Sequence, residues 1–423
     1  MNIVDIINKK EDGQALTYDE IKFAIDNFLI DNVKDYQISS LLMAIEIKGM
    51  SIDEIYNLTK VIIESGDIID LSSISGIKVD KHSTCGVGDK TTLVVGPLVA
   101  ACGVKVPKMS GRSLGFTGGT IDKLESIKGF NTNLKNEEFI KQVNDIGIAI
   151  TSSSSSLAPA DKKIYALRDV SGTTEAISLI ASSIMSKKIA AGSDKIVIDV
   201  KVGKGAFMKT IDEARTLSNV MIEIGKRFNK EVVAIITNMD YPLGTAIGNS
   251  LEVKEAIDTL DGKGDERFTK LCLTISAYMV HIGKNIKIED AFDEVLEKLN
   301  NKEGLNKFYE FVKYQNGDIN SLEYAQNKIE IKSDEEGYLT DIDTLKLSEF
   351  VNSLGAGRKE KDDTIDHSVG FILNKKINDK IEKNDILGYI ISNNDVDISS
   401  LKDIFTISTN KIVENEIILD VLK

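Results

Sequence analysis

The stretch Lys81 to Lys90, KHSTCGVGDK, gathers two lysines, a histidine, two hydroxyls and two glycines in one loop. It follows a β-branched run and precedes a helix expected to start near Thr91, so its free backbone N–H groups and the helix dipole point at whatever binds there. That geometry favours an anion. Lys81 adds charge, and Ser83 and Thr92 offer hydroxyl donors. A nucleotide P-loop is disfavoured, because it needs Gly-Lys-Ser/Thr and here Asp89 separates Gly88 from Lys90. Taken alone, the loop reads equally well as a glycine-rich βα turn with solvated lysines.

A second loop, KMSGRSLGFTGGTIDKLE from 108 to 125, again follows a strand-like run and combines Lys108, Ser110 and Thr120 with Gly111, Gly115, Gly118 and Gly119. Two such loops at neighbouring strand ends of one sheet could enclose a single phosphate, since open α/β sheets bind ligands at strand carboxyl ends. A third constellation, YALRDVSGTTEAISLIASSIMSKKIAAG, puts Arg168 ahead of a helix expected from Thr173 or Thr174. Ser183 and Lys187 lie four apart on that helix, hence on one face. A solvated basic face explains Arg168, Lys187 and Lys188 equally well.

The elements that must hold these loops change character along the chain. Residues 1–66 read as amphipathic helices, with capping boxes at Thr17–Glu20 and Ser51–Glu54 ahead of apolar faces. From about 75, β-branched runs such as DKIVIDVKV and EVVAIIT alternate with helical stretches, the pattern of βαβ units around a largely parallel sheet. After about 330, short strands separated by Gly, Asn and Asp turns predict a β-rich C-terminal domain. TSSSSS, 151–156, reads as a connecting hinge. The fold class is therefore α/β: a helical lobe, a large mixed α/β lobe with a cleft between them, and a β-rich C-terminal domain.

Bulk properties narrow the function. Lys+Arg number 52 against Asp+Glu 66, a net charge of -14, which disfavours nucleic acid as a partner. Cys85, Cys102 and Cys272 form neither a disulfide framework nor a C-x-x-C zinc site. No apolar run reaches membrane-spanning length and the N-terminus lacks a cleavable leader pattern, so a soluble, cytoplasmic protein is expected.

Together these segments resemble the pyrimidine nucleoside and thymidine phosphorylase family. The likeness runs through KHSTCGVGDKTTLVVGPLVAACGVKVPKMSGRSLGFTGGTIDKLESIKGF, LAPADKKIYALRDV, SSIMSKK, DVKVGKGAFMKT, NMDYPLGTAIGNSLEVKEAI and LGAGRKEKDDTIDHSVG, nearly the whole chain. The resemblance implies lobes that close over substrate, with residues 1–66 and 162–192 in the helical lobe, 75–154 and 195–325 in the α/β lobe, and 330–423 packed on the latter. It also implies a homodimer. The reaction implied is reversible phosphorolysis of pyrimidine nucleosides, with inorganic phosphate as co-substrate and no organic cofactor.

By the family pattern Lys81, Ser83, Thr92, Lys108, Ser110 and Thr120 hold phosphate, and Arg168, Ser183 and Lys187 hold the base. His82 is the expected proton donor, because histidine titrates near neutrality. Gly88, Lys90, Leu243, Ala246 and Glu255 match positions that bind potassium. A lysine at 108 and SIMSKK resemble the broad-specificity branch, implying uridine, deoxyuridine and thymidine as substrates; a thymidine-restricted enzyme is the alternative. A phosphoribosyltransferase of the anthranilate type is weaker, since Asp89 and Asp122 lack a carboxylate partner cluster for magnesium. A non-catalytic nucleoside or phosphate binder is the remaining alternative.

Several positions depart from the family pattern. Cys85 stands where relatives carry glycine, at about 1 kcal/mol if that position needs positive φ. The hinge 151–156 lacks the usual glycine, and Ser113, Phe116, Lys128 and Tyr241 are further substitutions.

Overall fold

The computed structural model describes residues 1–112, 118–154, 156–358 and 363–423. Expectations attached to Ser113, Gly115 and Phe116, and to Ser155 of the hinge, lie outside the described residues.

Four helices open the chain: α1 (Ile3–Glu11), α2 (Tyr18–Leu29), α3 (Asp35–Lys48) and α4 (Ile52–Glu64). Both expected capping boxes form, Thr17 with Glu20 and Ser51 with Glu54. Glu54 does double duty. Buried, it also accepts from Lys10 Nζ at 2.7 Å and from the Leu16 amide at 2.9 Å, which fixes α1 against α4.

The second layer begins with β1 (Val79–Ser83), α5 (Thr91–Ala101), β2 (Val106–Ser110), α6 (Thr120–Glu125), α7 (Asn136–Ile146) and β3 (Ile148–Ser152). The chain then returns to α8 (Pro159–Arg168) and α9 (Ile177–Ala190) before β4 (Lys195–Val202), α10 (Ile211–Arg227) and β5 (Glu231–Asn238). β1, β4 and β5 pair in parallel, and both faces of β4 are buried, as its unbroken apolar run requires. β2 and β3 form a separate parallel pair, tied to β1 by a parallel bridge between Lys78 and Lys105. The two glycine loops therefore follow neighbouring strands.

Helix α9 starts at Ile177, later than Thr173 or Thr174. Arg168 donates from Nε to the Thr173 carbonyl at 3.0 Å and from a terminal nitrogen to the Thr174 carbonyl at 2.9 Å, holding that stretch as a loop. The N-terminal part of α9 packs with Phe28, Leu58 and Ile62 through Leu179, whereas Ile184, Met185 and Ile189 join the core under the sheet. One helix thus serves both layers.

Beyond β6 (Ala246–Ile247), α11 (Asn249–Leu260) and α12 (Glu266–Lys284), short antiparallel strands dominate: β7 (Asn327–Lys332), β8 (Gly337–Ile342), β9 (Gly370–Leu373), β10 (Lys380–Ile381), β11 (Ile386–Ser392) and β12 (Phe405–Ser408). This part is stitched to the rest. β6 pairs with β9, and the final strand β13 (Ile418–Leu422) completes the main sheet antiparallel to β5.

Three chain crossings join the helical layer to the sheet layer, and they bond to one another. The Asp67 amide donates to Ser156 O at 2.9 Å, and the Ile69 amide to Ala190 O at 2.9 Å. Gly192 has φ of +87°, and a Cβ there would lie 2.3 Å from Ile69 O. Gly192→Ala is expected to cost at least about 1–2 kcal/mol from the left-handed backbone alone, measured by urea unfolding; an unchanged midpoint would mean that the crossing is slack.

Candidate active site

Strand alternation sends Lys81 and Ser83 to one face of β1 and Asp80 and His82 to the other. On the first face the Lys81 ammonium donates to the Thr91 hydroxyl at the start of α5. Ser83 Oγ donates to Asp89 at 2.6 Å, and Asp89 also accepts from the Thr91 amide at 3.1 Å and the Thr91 hydroxyl at 2.5 Å. Burial would push the Asp89 carboxyl up, but the Lys81 and Lys201 charges and these hydroxyls outweigh it and hold it well below the usual carboxylate range. Lys201 is itself held by Asp199 at 2.6 Å, which takes the Thr237 hydroxyl at 2.6 Å. The loop therefore rests on a buried, internally balanced ion network. Gly86 is needed there: a Cβ would meet Lys201 Cδ and Met239 Sδ, each at 2.6 Å.

On the second face charge balance fails. Asp80, 0% exposed, pairs with Lys188 at 2.7 Å and Lys108 at 3.5 Å. Burial pushes the Lys108 ammonium down to about 7; the Asp80 carboxylate opposes this and the charges of Lys188 and Lys81 add to it. His82 is surrounded: burial, then the charges of Lys188, Lys108, Lys187 and Lys81, hold its imidazole well below the usual histidine range. The expectation that His82 titrates near neutrality is corrected accordingly, for burial and four neighbouring lysines hold it well below that range.

The third cluster lies on α8 and α9. Arg168, 1% exposed, stacks over the Tyr165 ring at 5.5 Å. Lys187 pairs with Asp161 at 2.9 Å, reaches Ser183 Oγ at 3.3 Å and lies 6.0 Å from the same ring. Burial lowers the Arg168 pKa, with Asp161 and Tyr165 opposing, yet a guanidinium keeps its charge. Burial also raises the Tyr165 phenol, and a nearby Cys85 adds to that rise, so the first loop and this cluster adjoin. The structure thus brings Lys81, His82, Lys108, Arg168, Ser183 and Lys187 to one region. Ser110 is buried at the end of β2, and Thr92 and Thr120 stand in the first turns of α5 and α6.

Sequence reasoning missed Asp80, Tyr165 and Asp161 and left Lys188 as a solvated charge. A signal existed for Asp80, an acidic residue inside a buried strand beside Lys81. Cys85 does take φ of +76°, the left-handed conformation its family glycine would favour. His281 bonds the Ile286 carbonyl, and His367 is half-buried near Asp122 and Glu125 of α6.

The residues matched to potassium do not fit a bound ion. Lys90 Nζ donates to Leu243 O at 2.6 Å and Ala246 O at 3.0 Å and pairs with Glu255 Oε2 at 2.6 Å, so the protein's own ammonium takes those oxygens.

Three family models match the chain: "Glycosyl transferase family, helical bundle domain" over residues 4–66, "Glycosyl transferase family, a/b domain" over 75–304, and "Pyrimidine nucleoside phosphorylase C-terminal domain" over 338–406. A pyrimidine-nucleoside phosphorylase of Staphylococcus aureus is 51% identical over 405 residues, 94% of each chain. One from Geobacillus stearothermophilus is 50% identical over 400 residues, covering 93% of this chain and 92% of that one. The crystal structure of anthranilate phosphoribosyltransferase from Thermus thermophilus superposes with a TM-score of 0.60 at 15% identity, over 74% of this chain and 99% of that one, and shows the shared fold.

Two outcomes are expected here. Sulfate stays dianionic between about pH 7 and 9, so its binding reports only the protein's protons; with Lys108 near 7, binding should take up a proton, and affinity should fall as pH rises through that window. Calorimetry in buffers of different ionisation enthalpy checks this, with Lys108→Met showing a smaller uptake; proton release would contradict it. Cys85→Gly relieves the left-handed strain and should keep or raise turnover and add about 1 kcal/mol of stability; a large loss of turnover would assign the thiol a role.

Proposed function

The chain belongs to the pyrimidine-nucleoside phosphorylase family, and from that premise we propose how its residues divide the reaction. It is a pentosyltransferase that cleaves pyrimidine nucleosides with inorganic phosphate as co-substrate. The observation that carries the division of labour is the burial of His82 among the charges of Lys188, Lys108, Lys187 and Lys81, which hold its imidazole well below the usual histidine range.

An oxygen of phosphate, seated by Lys81, Lys108, Ser110, Thr92, Thr120 and Ser83, attacks the anomeric carbon as the bond from that carbon to the base nitrogen breaks. The bonding pair leaves with the pyrimidine, and the sugar passes through an oxocarbenium-like state. The products are a free base and an α-D-pentose 1-phosphate. Arg168 and Lys187 face the charge that gathers on the base, Ser183 orients it and Tyr165 offers a ring to its side. A bound phosphate dianion offsets the lysines around His82 and so raises its proton affinity, letting the imidazole take up a proton and pass it to the departing base. Ser83 must leave Asp89 to reach phosphate, which makes it the least prepared of the ligands.

Lys108 supports tolerance of the sugar 2′-hydroxyl, hence uridine and deoxyuridine as well as thymidine. Closure of the lobe of 1–66 and 162–192 onto that of 75–154 and 195–325, with 330–423 moving with the latter, brings the base cluster to the phosphate cluster; a homodimer in the cytoplasm, acting in nucleoside salvage, completes the proposal. Potassium has no part in it.

The test is base release from uridine, thymidine and cytidine, followed by absorbance with and without phosphate. Release should require phosphate, and phosphate-independent release would point to hydrolysis. Arg168→Ala and Lys187→Ala should each lower kcat by about 10²-fold or more, the loss seen when a donor to developing charge is removed, while phosphate affinity survives. Unchanged turnover would return both to a structural role.

A further inference from the structure

We infer that this chain carries its own monovalent cation: the Lys90 ammonium fills the oxygen cage of Leu243, Ala246 and Glu255, and the enzyme works without potassium. Lys90 is 1% exposed, one of the most deeply buried long side chains among the described residues. An ammonium has three protons to place, and here three oxygens receive them: Leu243 O at 2.6 Å, Ala246 O at 3.0 Å and Glu255 Oε2 at 2.6 Å. The face of Phe268, its centroid 5.1 Å from Nζ, closes another side with favourable cation–π character.

The Glu255 carboxylate is also committed elsewhere. Glu255 accepts from the Thr245 amide at 2.7 Å, the Thr245 hydroxyl at 3.0 Å and the Ala246 amide at 2.8 Å. Gly88 O receives the Lys90 amide at 3.0 Å. Gly88 has φ of +69°, and a Cβ there would lie 2.8 Å from Leu243 O, so the loop backbone presses directly on the cage. A second cation at these oxygens would meet an ammonium at contact distance in a dry site, where like charges repel most strongly.

The placement makes Lys90 a positioning residue. It is the last residue before α5, whose first turn carries Thr91 and Thr92, and it anchors that turn to β6 and hence to β9 of the β-rich part. An exchangeable ion at this point would couple phosphate seating to the ionic composition of the medium. A tethered ammonium removes that coupling.

The test uses the full-length protein exchanged into tetramethylammonium buffer, with thermal midpoint and phosphate-dependent base release read while potassium replaces tetramethylammonium at constant ionic strength. The wild type should change in neither readout by more than the matched sodium control. Lys90→Ser removes the cation but leaves its oxygens and its space, so its lowered midpoint should climb saturably with potassium. Lys90→Met fills the space and should stay low at every potassium concentration. A wild-type midpoint or turnover that rises saturably with potassium would overturn the inference, as would a thallium anomalous peak among Leu243, Ala246 and Glu255 in wild-type crystals. A Lys90→Ser midpoint flat in potassium would count against the cage as well. Should neither variant fold, the wild-type titration and the thallium soak decide; base release absent under all conditions would indict the assigned activity, leaving the midpoint to judge Lys90.

Discussion

Asp80 is the one carboxylate that faces the Lys108 and Lys188 ammoniums within salt-bridge distance among the described residues, and the arrangement of the site depends on that imbalance. A buried charge is tolerated when it is paired and hydrogen-bonded. Asp80 meets this condition through Oδ2, which accepts from Lys188, while its Oδ1 lies 3.5 Å from Lys108 without a hydrogen bond; Lys81 and Lys187 add further positive charge around His82. The cluster is short of negative charge, and in the proposed division of roles a phosphate dianion supplies what is missing. Without the anion, His82 stays neutral and Lys108 sits near its titration point. Under that proposal, binding the co-substrate completes both the electrostatics and the proton inventory.

The opposite face of the same strand is built differently. Lys81, Thr91, Asp89, Lys201, Asp199 and Thr237 form a continuous chain of pairs and hydrogen bonds beneath the loop. Such a network holds the loop in place whether or not phosphate is present. The cost is that Ser83 and Thr91 begin in the service of Asp89. One face of β1 thus carries its own counter-charges, and the other is left short of them. Lys90, one residue before α5, adds a third fixed point by reaching across to the 243–246 segment.

What was legible in the sequence is what is local. The capping boxes at Thr17 and Ser51, the α5 start at Thr91 and the alternation of strands with helices follow from neighbours a few residues apart, and the structure contains all of them. Lys81, Lys108, Arg168 and Lys187 were visible through their glycine-rich or family-like surroundings. Asp80 and Lys188 were not, because their significance comes from a contact spanning 108 residues. Lys90 illustrates a different case: the motif named the cage, but only coordinates show that a four-carbon stem ends among its oxygens. The loop between Arg168 and α9 was misread for a similar reason, the carbonyls of Thr173 and Thr174 being claimed by a guanidinium rather than by a helix.

The chain has three histidines, so the imidazole of His82 can be followed by NMR with His281 and His367 as internal references. The account predicts that His82 stays neutral through the neutral range without ligand and that saturating phosphate moves its titration upward by about one unit or more, as a nearby dianion among lysines requires. A His82 titration that is unmoved by phosphate, or that shifts downward, would contradict it.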